Sequence, residues 1–464
     1  MAETATIDVA EVIERQPIGP FTIRLVLLSW LVIFFDGYDM TSISFTSKYL
    51  MKAFELDKTA LGYVLSVGIF GLMLGGVCFG WLGDRIGRRP SVVLATFTFS
   101  LLTAATGFAQ THEQLLVLRF LDGVALGGAV PLLWALNIEY VPRRFRARVV
   151  TLILLGYGFG VAFAGPIARG LIGPLGWPGV FWFGGAASLI SGVLLLAWLP
   201  ESLRFMVSKG AAPARIAAMF RRMAPSVALP DGATFDLSDE TARAAKQPFR
   251  PNVLFRGRLA LITPLVWIAY IASSLSTYFL TTWGPLVLEE MGFGANGAAW
   301  VTFANSLCGA IGGLAIMGFT DRKGPISIAA LPAIAVPLLL VAGLAPMGLN
   351  LFFPLSLCLS VFLGGSHYAI QSIVGLFYPS AYRANGAGWA GSVGKVGSVA
   401  APIIGAMVLA RVAPRTTYAL LAACPAVLGI CVVLIGLIDR GMRASGVTDA
   451  SEPTGAADPV LAGE

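Results

Sequence analysis

Charge is scarce in this sequence: Lys, Arg, Asp and Glu make up 12% of its 464 residues, against roughly a quarter in an ordinary soluble domain. So little polar surface excludes a water-soluble globule of this length. Histidine is scarcer still, with two residues, and the five cysteines (Cys78, Cys308, Cys358, Cys424 and Cys431) all lie inside apolar stretches, without CxxC spacing and without clustering around either histidine. Those absences exclude a zinc centre and a disulfide framework. No GxxxxGK[ST] loop occurs, which removes the phosphate cradle of an ATP-driven pump. Nor is a nucleophile set beside a base, as an embedded enzyme requires. Gly156, Gly158 and Gly160 follow no strand and lie within an apolar stretch, so they read as helix-packing residues rather than a dinucleotide loop. The opening MAETATIDVAEVIERQPIGP is polar and acidic. It lacks the basic start and short apolar stretch of a cleaved signal peptide, so the amino terminus is expected to stay in the cytoplasm.

What is present is hydrophobicity, 56% of residues, gathered in runs of about 20 that as helices can cross a hydrocarbon core of roughly 30 Å. Runs broken by charge, Gly and Pro predict spans near 24–46, 60–82, 90–109, 114–138, 149–171, 178–199, 259–285, 298–319, 325–345, 351–376, 386–408 and 416–437. Backbone amides find no water at that depth, so each span must be helical. The net charge of +7 sits in short segments between the spans and not on a soluble face, which argues against nucleic acid as a partner and leaves membrane lipid. Cations crowd one side: Arg15, Arg24, Arg85, Arg88, Arg89, Arg143, Arg144, Arg146, Arg148, Arg322, Lys323, Arg383, Arg440 and Arg443, against Lys48, Lys52, Lys58, Arg411 and Arg415 on the other. The crowded side reads as cytoplasmic, which puts both termini there in an inner membrane.

The halves echo one another. LGDRIG from Leu82 to Gly87 recurs as FTDRKG from Phe319 to Gly324, and Pro142 with Arg146 recurs as Pro379 with Arg383, both at an offset of 237 residues. The expectation is an all-α membrane protein with twelve transmembrane helices in two pseudo-symmetric six-helix bundles: a cytoplasmic tail over 1–23, a bundle over 24–200, a cytoplasmic linker over 201–258, a second bundle over 259–438 and a tail over 439–464. Such duplication implies a site near mid-membrane between the halves, reached from each side in turn. Within the linker, Ile216, Met219, Phe220 and Met223 share one face and Arg215, Arg221 and Arg222 another, as in a short amphipathic helix on the membrane surface or a solvated connector.

Ionisable groups within spans are costly, so they face a cavity or a partner. Asp36 and Asp39 stand three apart on one helix face with Gly37 between them, allowing close approach of a neighbour. Two carboxylates kept from water resist being charged together, which suits them to load and release a proton. An ion pair of either with Arg119 is the structural alternative. Arg119 is three residues before Asp122, so it either pairs internally or offers its planar fork to an anionic substrate. Lys395, near mid-depth and without an acid close in sequence, competes for that anchoring role. His367 and Gln371 share a face and can bind substrate or bond another helix. Tyr278 and Trp283 can stack on a ring, although Trp283 at the outer boundary reads rather as an interfacial anchor; Arg169 near the same boundary reads as snorkelling to the surface. At the cytoplasmic ends, Gly80, Gly83 and Gly87 are read as allowing tight packing around Asp84, beside Arg85, Arg88 and Arg89. With Glu139, Arg146 and the second copy at Asp321, Arg322 and Arg383, they form a candidate gate that holds helix ends together in one state and frees them in another.

GWLGDRIGRRP from Gly80 to Pro90 resembles the signature loop between spans two and three of the major facilitator superfamily, and the span count and duplication extend the resemblance over nearly the whole chain. DGYD at Asp36 to Asp39, RFLDGVALGGAVPLLWALNIEYVP ending near Glu139, PESLR at Pro200 to Arg204, and YPSAYRANGAGWAGSVGKVG from Tyr378 to Gly397 resemble its aromatic acid:proton symporter branch, with the benzoate and 4-hydroxybenzoate transporters. The resemblance adds Glu201 to the gating set and implies proton-coupled uptake of a benzoate-like or hydroxybenzoate-like anion through Asp36 and Asp39. It departs at Lys395, where the branch typically has Arg, so a point ammonium stands in for a bidentate fork. The expected function is therefore import of an aromatic carboxylate with protons, by a monomer, without a cofactor and driven by the proton gradient. A proton-coupled carrier of another organic anion, or an exporter on the same scaffold, stays open at this point.

Overall fold

The structure, a computed structural model, describes residues 6–225, 227, 229–230, 232–237, 251–257, 259–323, 326–378 and 383–444. In chain order it runs β1 (Thr6–Asp8), α1 (Val9–Arg15), α2 (Pro20–Ala53), α3 (Lys58–Ile86), α4 (Arg88–Thr106), α5 (His112–Tyr140), α6 (Arg143–Trp198), α7 (Leu203–Ser208), α8 (Pro213–Met223) and β2 (Thr234–Asp236). A short turn of helix at Pro251–Phe255 leads into α9 (Leu259–Leu288), α10 (Gly294–Lys323), α11 (Ile326–Leu344), α12 (Leu349–Phe377), α13 (Arg383–Leu409), α14 (Thr416–Leu421) and α15 (Ala423–Ala444). Helices begin where the sequence supplies a cap. Pro20 opens α2, Asp57 accepts from the Ala60 amide at the head of α3, and Thr111 does the same for Gln114 at the head of α5. Two expected spans, 149–171 and 178–199, run together as α6, bent at Gly176, whose φ of 68° suits glycine alone. The twelve crossings are thus α2 to α5, the two limbs of α6, α9 to α13, and α15 with its short lead-in α14.

Without a hydrophobic drive between helices in lipid, close packing has to come from small residues. A side chain on Gly71 or Gly75 of α3 would overlap the carbonyls of Phe120 or Val124 of α5, and one on Gly123 or Gly127 would overlap those of Gly68 or Leu72 in return. α2 and α6 meet the same way: Gly37 lies against the Tyr157 carbonyl, Gly156 against that of Trp30 and Gly160 against that of Phe34.

The two bundles are clasped at the end away from the arginine-rich loops. There Lys58 pairs with Glu290 at 3.0 Å and Lys48 with Glu289 at 3.9 Å, Arg169 donates to Asn296, and Ser66 donates to the Val399 carbonyl at 2.6 Å. Arg169 is exposed and also reaches Asn296 of the other bundle. A Cβ on Gly62 would stand 2.8 Å from that of Ala406 and 3.0 Å from the Pro402 carbonyl.

At the arginine-rich end the polar amino terminus and the linker build a small cap. β1 lies parallel to β2 in the register Thr6 to Thr234, Ile7 to Phe235 and Asp8 to Asp236. Val9 and Ile13 of α1 and Ile216, Phe220 and Met223 of α8 are buried in one cluster with Leu199, Leu203 and the ends of α2 and α5. The apolar face of α8 is covered by protein, not by headgroups or water, because the amino-terminal segment supplies the matching surface.

Candidate functional site

Asp36 and Asp39 lie midway along α2 and are 3% and 2% exposed. Asp39 faces α4 and α5. Its Oδ2 lies 3.2 Å from Arg119 Nη1, and Arg119 Nη2 lies 3.1 Å from Asp122 Oδ2. The guanidinium also donates to Thr106 at 2.8 Å and sits 5.1 Å over the Phe181 ring. Thr103 lies 3.0 Å from an oxygen of each acid. A hydroxyl has one proton to give, so a proton on either carboxyl completes the second bond by donating to Thr103. A cavity of about 20 Å³ borders Asp39, Arg119 and Asp122 and is closed by Thr282 of α9 in the other bundle, room enough for one water.

Asp36 faces the interface. Its Oδ1 has no hydrogen-bond partner among the described residues, and it lies within electrostatic reach of Asp39 and of Lys395 from α13. Lys395 reaches towards α3, where its ammonium stands 3.7 Å from the point a side chain on Gly76 would occupy. No described carboxylate lies within the 4 Å ion-pair range of that ammonium. Beside this pair, Tyr157 of α6 and Tyr278 of α9 lie within electrostatic reach of each other and of Asp36, and Tyr278 lies near Ser398 of α13. Residues that are 359 positions apart in sequence, Asp36 and Lys395, thus come to one mid-depth cluster spanning both bundles.

Other predicted residues fall in several places. His367 bonds Ser273 at 2.9 Å through Nδ1, tying α12 to α9 within one bundle. Trp283 is not an interfacial anchor: it is fully buried, donates to the Pro402 carbonyl at 3.0 Å and packs on Gly405. The α9 segment there is covered by α13, so its indole finds a backbone acceptor and not the membrane surface. The side chains of Gln371, Asp321, Arg322 and Arg383 lie outside the described residues.

At the arginine-rich end, Arg88 bonds Asp84 at 2.7 Å and lies 3.6 Å from Glu139, linking α3, α4 and α5. Glu201 Oε1 accepts the backbone amides of Arg88 at 2.9 Å and Arg89 at 3.2 Å, a carboxylate at the positive end of α4. Gly87, with φ of 111°, leaves room for it where a side chain would collide with its carboxyl group. Gly83 packs under Leu132, but Gly80 has no described atom within 4 Å of a built Cβ; the expected tight packing there is absent because that face of α3 opens outward. Arg85 lies over its own Trp81 ring at 4.6 Å, and Arg146 reaches Glu14 of α1 at 3.5 Å. Sequence reasoning missed Tyr157, Thr103, Thr106, Ser273 and Ser398, because it inventoried ionisable groups and passed over hydroxyls. The one signal for Tyr157 was its place between Gly156 and Gly158.

Residues 29–402 match the model of the Major Facilitator Superfamily. The chain is 30% identical over 405 residues to the 4-hydroxybenzoate transporter PcaK of Pseudomonas putida, covering 87% of this chain and 90% of that protein. It is 32% identical over 418 residues to the gallate transporter of Pseudomonas putida, covering 87% and 89%. Among solved structures, a bacterial homolog of the human lysosomal transporter Spinster, in an inward-facing and unoccupied conformation, superposes with a TM-score of 0.69 at 16% identity, covering 92% of this chain and 99% of that one. A fold of duplicated bundles clasped around a charged mid-depth cluster, matched over most of its length by that family model, makes this chain a membrane transporter belonging to the Major Facilitator Superfamily.

Proposed function

We propose that the protein imports an aromatic carboxylate together with protons across the cytoplasmic membrane by alternating access, with both termini and the arginine-rich loops in the cytoplasm. The observation that carries this reading is the approach of Asp36 to Lys395 across the bundle interface. Arg119 is already held by Asp39 and Asp122, so the ammonium of Lys395 is the free anchor for an incoming carboxylate. Substrate and Asp36 then compete for one cation. A carboxylate that takes Lys395 leaves Asp36 uncompensated in a dry site, and a proton on Asp36 relieves that. Charge counting gives the same coupling: Asp36, Asp39 and Asp122 set three negative charges against the two positive charges of Arg119 and Lys395. One proton neutralises the empty site, and a bound anion calls for another.

Energetics agree with import. Drawing a single anion into a negative interior costs roughly 2.3 kcal/mol per 100 mV, which one accompanying proton cancels and further protons reverse. No cofactor is needed, since the proton gradient supplies the energy. The rings of Tyr157 and Tyr278 beside the anchor suit an aromatic substrate, and the names of the relatives favour the same class. Asp84, Arg88, Glu139 and Glu201 lock α3, α4 and α5 into one moving block at the cytoplasmic gate.

The test is uptake of labelled benzoate, hydroxybenzoates and non-aromatic acids into proteoliposomes, with and without an uncoupler. Aromatic acids are expected to accumulate and the uncoupler to abolish it. Accumulation indifferent to the uncoupler, or confined to non-aromatic acids, would overturn the reading. Lys395→Ala is expected to raise KM for carboxylates roughly tenfold or more, and unchanged kinetics would remove the anchor.

A further inference from the structure

At the clasped end, the seam between α6 of one bundle and α10 of the other leaves a cavity of about 430 Å³, lined on one side by Arg169, Gly170 and Gly173 and on the other by Asn296 and Trp300. Arg169 closes the crossing that precedes the bend at Gly176, and Asn296 opens α10, so the cavity lies at headgroup depth. Trp300 is 60% exposed beside it, as indoles at a membrane boundary are.

Below this mouth the seam is aromatic. Phe163 of α6 meets Phe303 of α10 edge-on at 5.2 Å, Trp300 meets Phe303 at 5.5 Å, and Phe163 stacks on Phe159 at 6.3 Å. Tyr157, two residues before Phe159, faces the charged cluster, so Phe159 and Phe163 turn the other way, to lipid, and both are exposed there. Arg169 and Phe159 are ten positions apart, about 15 Å along the helix, and one leaflet of hydrocarbon is roughly 15 Å deep.

Arg169 is the charged side chain of the cavity. Its Nε donates to Asn296, which leaves both Nη groups for an incoming anion. Glu289 is within electrostatic reach of Arg169 but pairs with Lys48 at 3.9 Å, and Arg169 joins no ion pair within 4 Å among the described residues. A guanidinium fork matches two phosphate oxygens. A zwitterionic headgroup would bring an ammonium for which the cavity offers no lining acid.

We propose that this seam is a binding site for an anionic phospholipid of the phosphatidylglycerol kind, whose phosphate takes the free face of Arg169 while an acyl chain lies along Trp300, Phe163 and Phe159. The lipid touches both bundles and so favours the arrangement in which they are clasped.

The experiment measures, by native mass spectrometry, what the purified, delipidated transporter retains most tightly when titrated with phosphatidylglycerol, phosphatidylethanolamine or inorganic phosphate. Wild type is expected to hold phosphatidylglycerol roughly tenfold more tightly than the other two. Arg169→Gln is expected to remove that preference. Gly170→Leu is expected to weaken retention several-fold by filling the cavity from a position where a side chain meets no described atom within 4 Å, and it stays readable should Arg169→Gln fold poorly. Equal retention of phosphatidylethanolamine would mark an unselective lipid contact, and equal retention of phosphate a free-anion site. A preference that survives Arg169→Gln, or retention unmoved by Gly170→Leu, would put the site elsewhere. Each of these results would overturn the proposal.

Discussion

Arg119 shows how a residue's surroundings decide its role. Buried with an acid on either side, it ties α2 to α5. Removing one member of a buried ion pair costs about 3–5 kcal/mol, whereas removing charge on both sides costs far less. Arg119→Gln is therefore expected to lower the thermal unfolding midpoint of the detergent-solubilised protein sharply, and Arg119→Gln combined with Asp39→Asn to recover part of the loss. Equal midpoints for wild type and the single variant, followed by tryptophan fluorescence, would show that the triad carries no such load. Asp36 is the contrasting case: its Oδ1 has no hydrogen-bond partner and it joins no ion pair among the described residues.

Among elements, the cap at the arginine-rich end stands out, since a polar leading segment gives little sign of structure. Its stability lies in two apolar side chains on α1, Val9 and Ile13, which are buried against α8 and the bundle. The pair Glu14 to Arg143 and Arg146 orients it but is too exposed to add much. Truncating a buried Ile to Ala costs about 2–5 kcal/mol. Ile13→Ala is thus expected to free α1 and expose the linker, seen as faster tryptic cleavage around Lys209 and Arg215. Cleavage at the wild-type rate would place the cap's stability elsewhere.

At the scale of the whole molecule, the spans and their duplication were legible because lipid imposes length and composition on every crossing. Asp36, Asp39 and Lys395 were legible because charge at mid-depth is costly and conspicuous. What no local pattern carries is which helices meet: the approach of Asp36 to Lys395 and the burial of Trp283 under α13 both depend on three-dimensional packing. Hydroxyls such as Thr103 and Ser273 were silent for another reason, since Ser and Thr in a helix usually bond their own backbone. The clasp away from the arginine-rich loops is likewise a product of packing. Gly62 lets α3 close on Pro402 and Ala406, so Gly62→Leu is expected to wedge the bundles apart there, abolish uptake with normal expression, and raise labelling of a thiol introduced at Ser66. Uptake and labelling at wild-type levels would show that this contact does not govern closure.

The central claim is that Asp36 carries the proton whose movement is tied to the substrate anion. Proteoliposomes holding a pH-sensitive dye, given labelled 4-hydroxybenzoate, test it most directly. Wild type is predicted to acidify the lumen as substrate enters, while Asp36→Asn exchanges substrate in counterflow without moving protons or accumulating it. Substrate-linked acidification of wild-type size in Asp36→Asn would contradict the account.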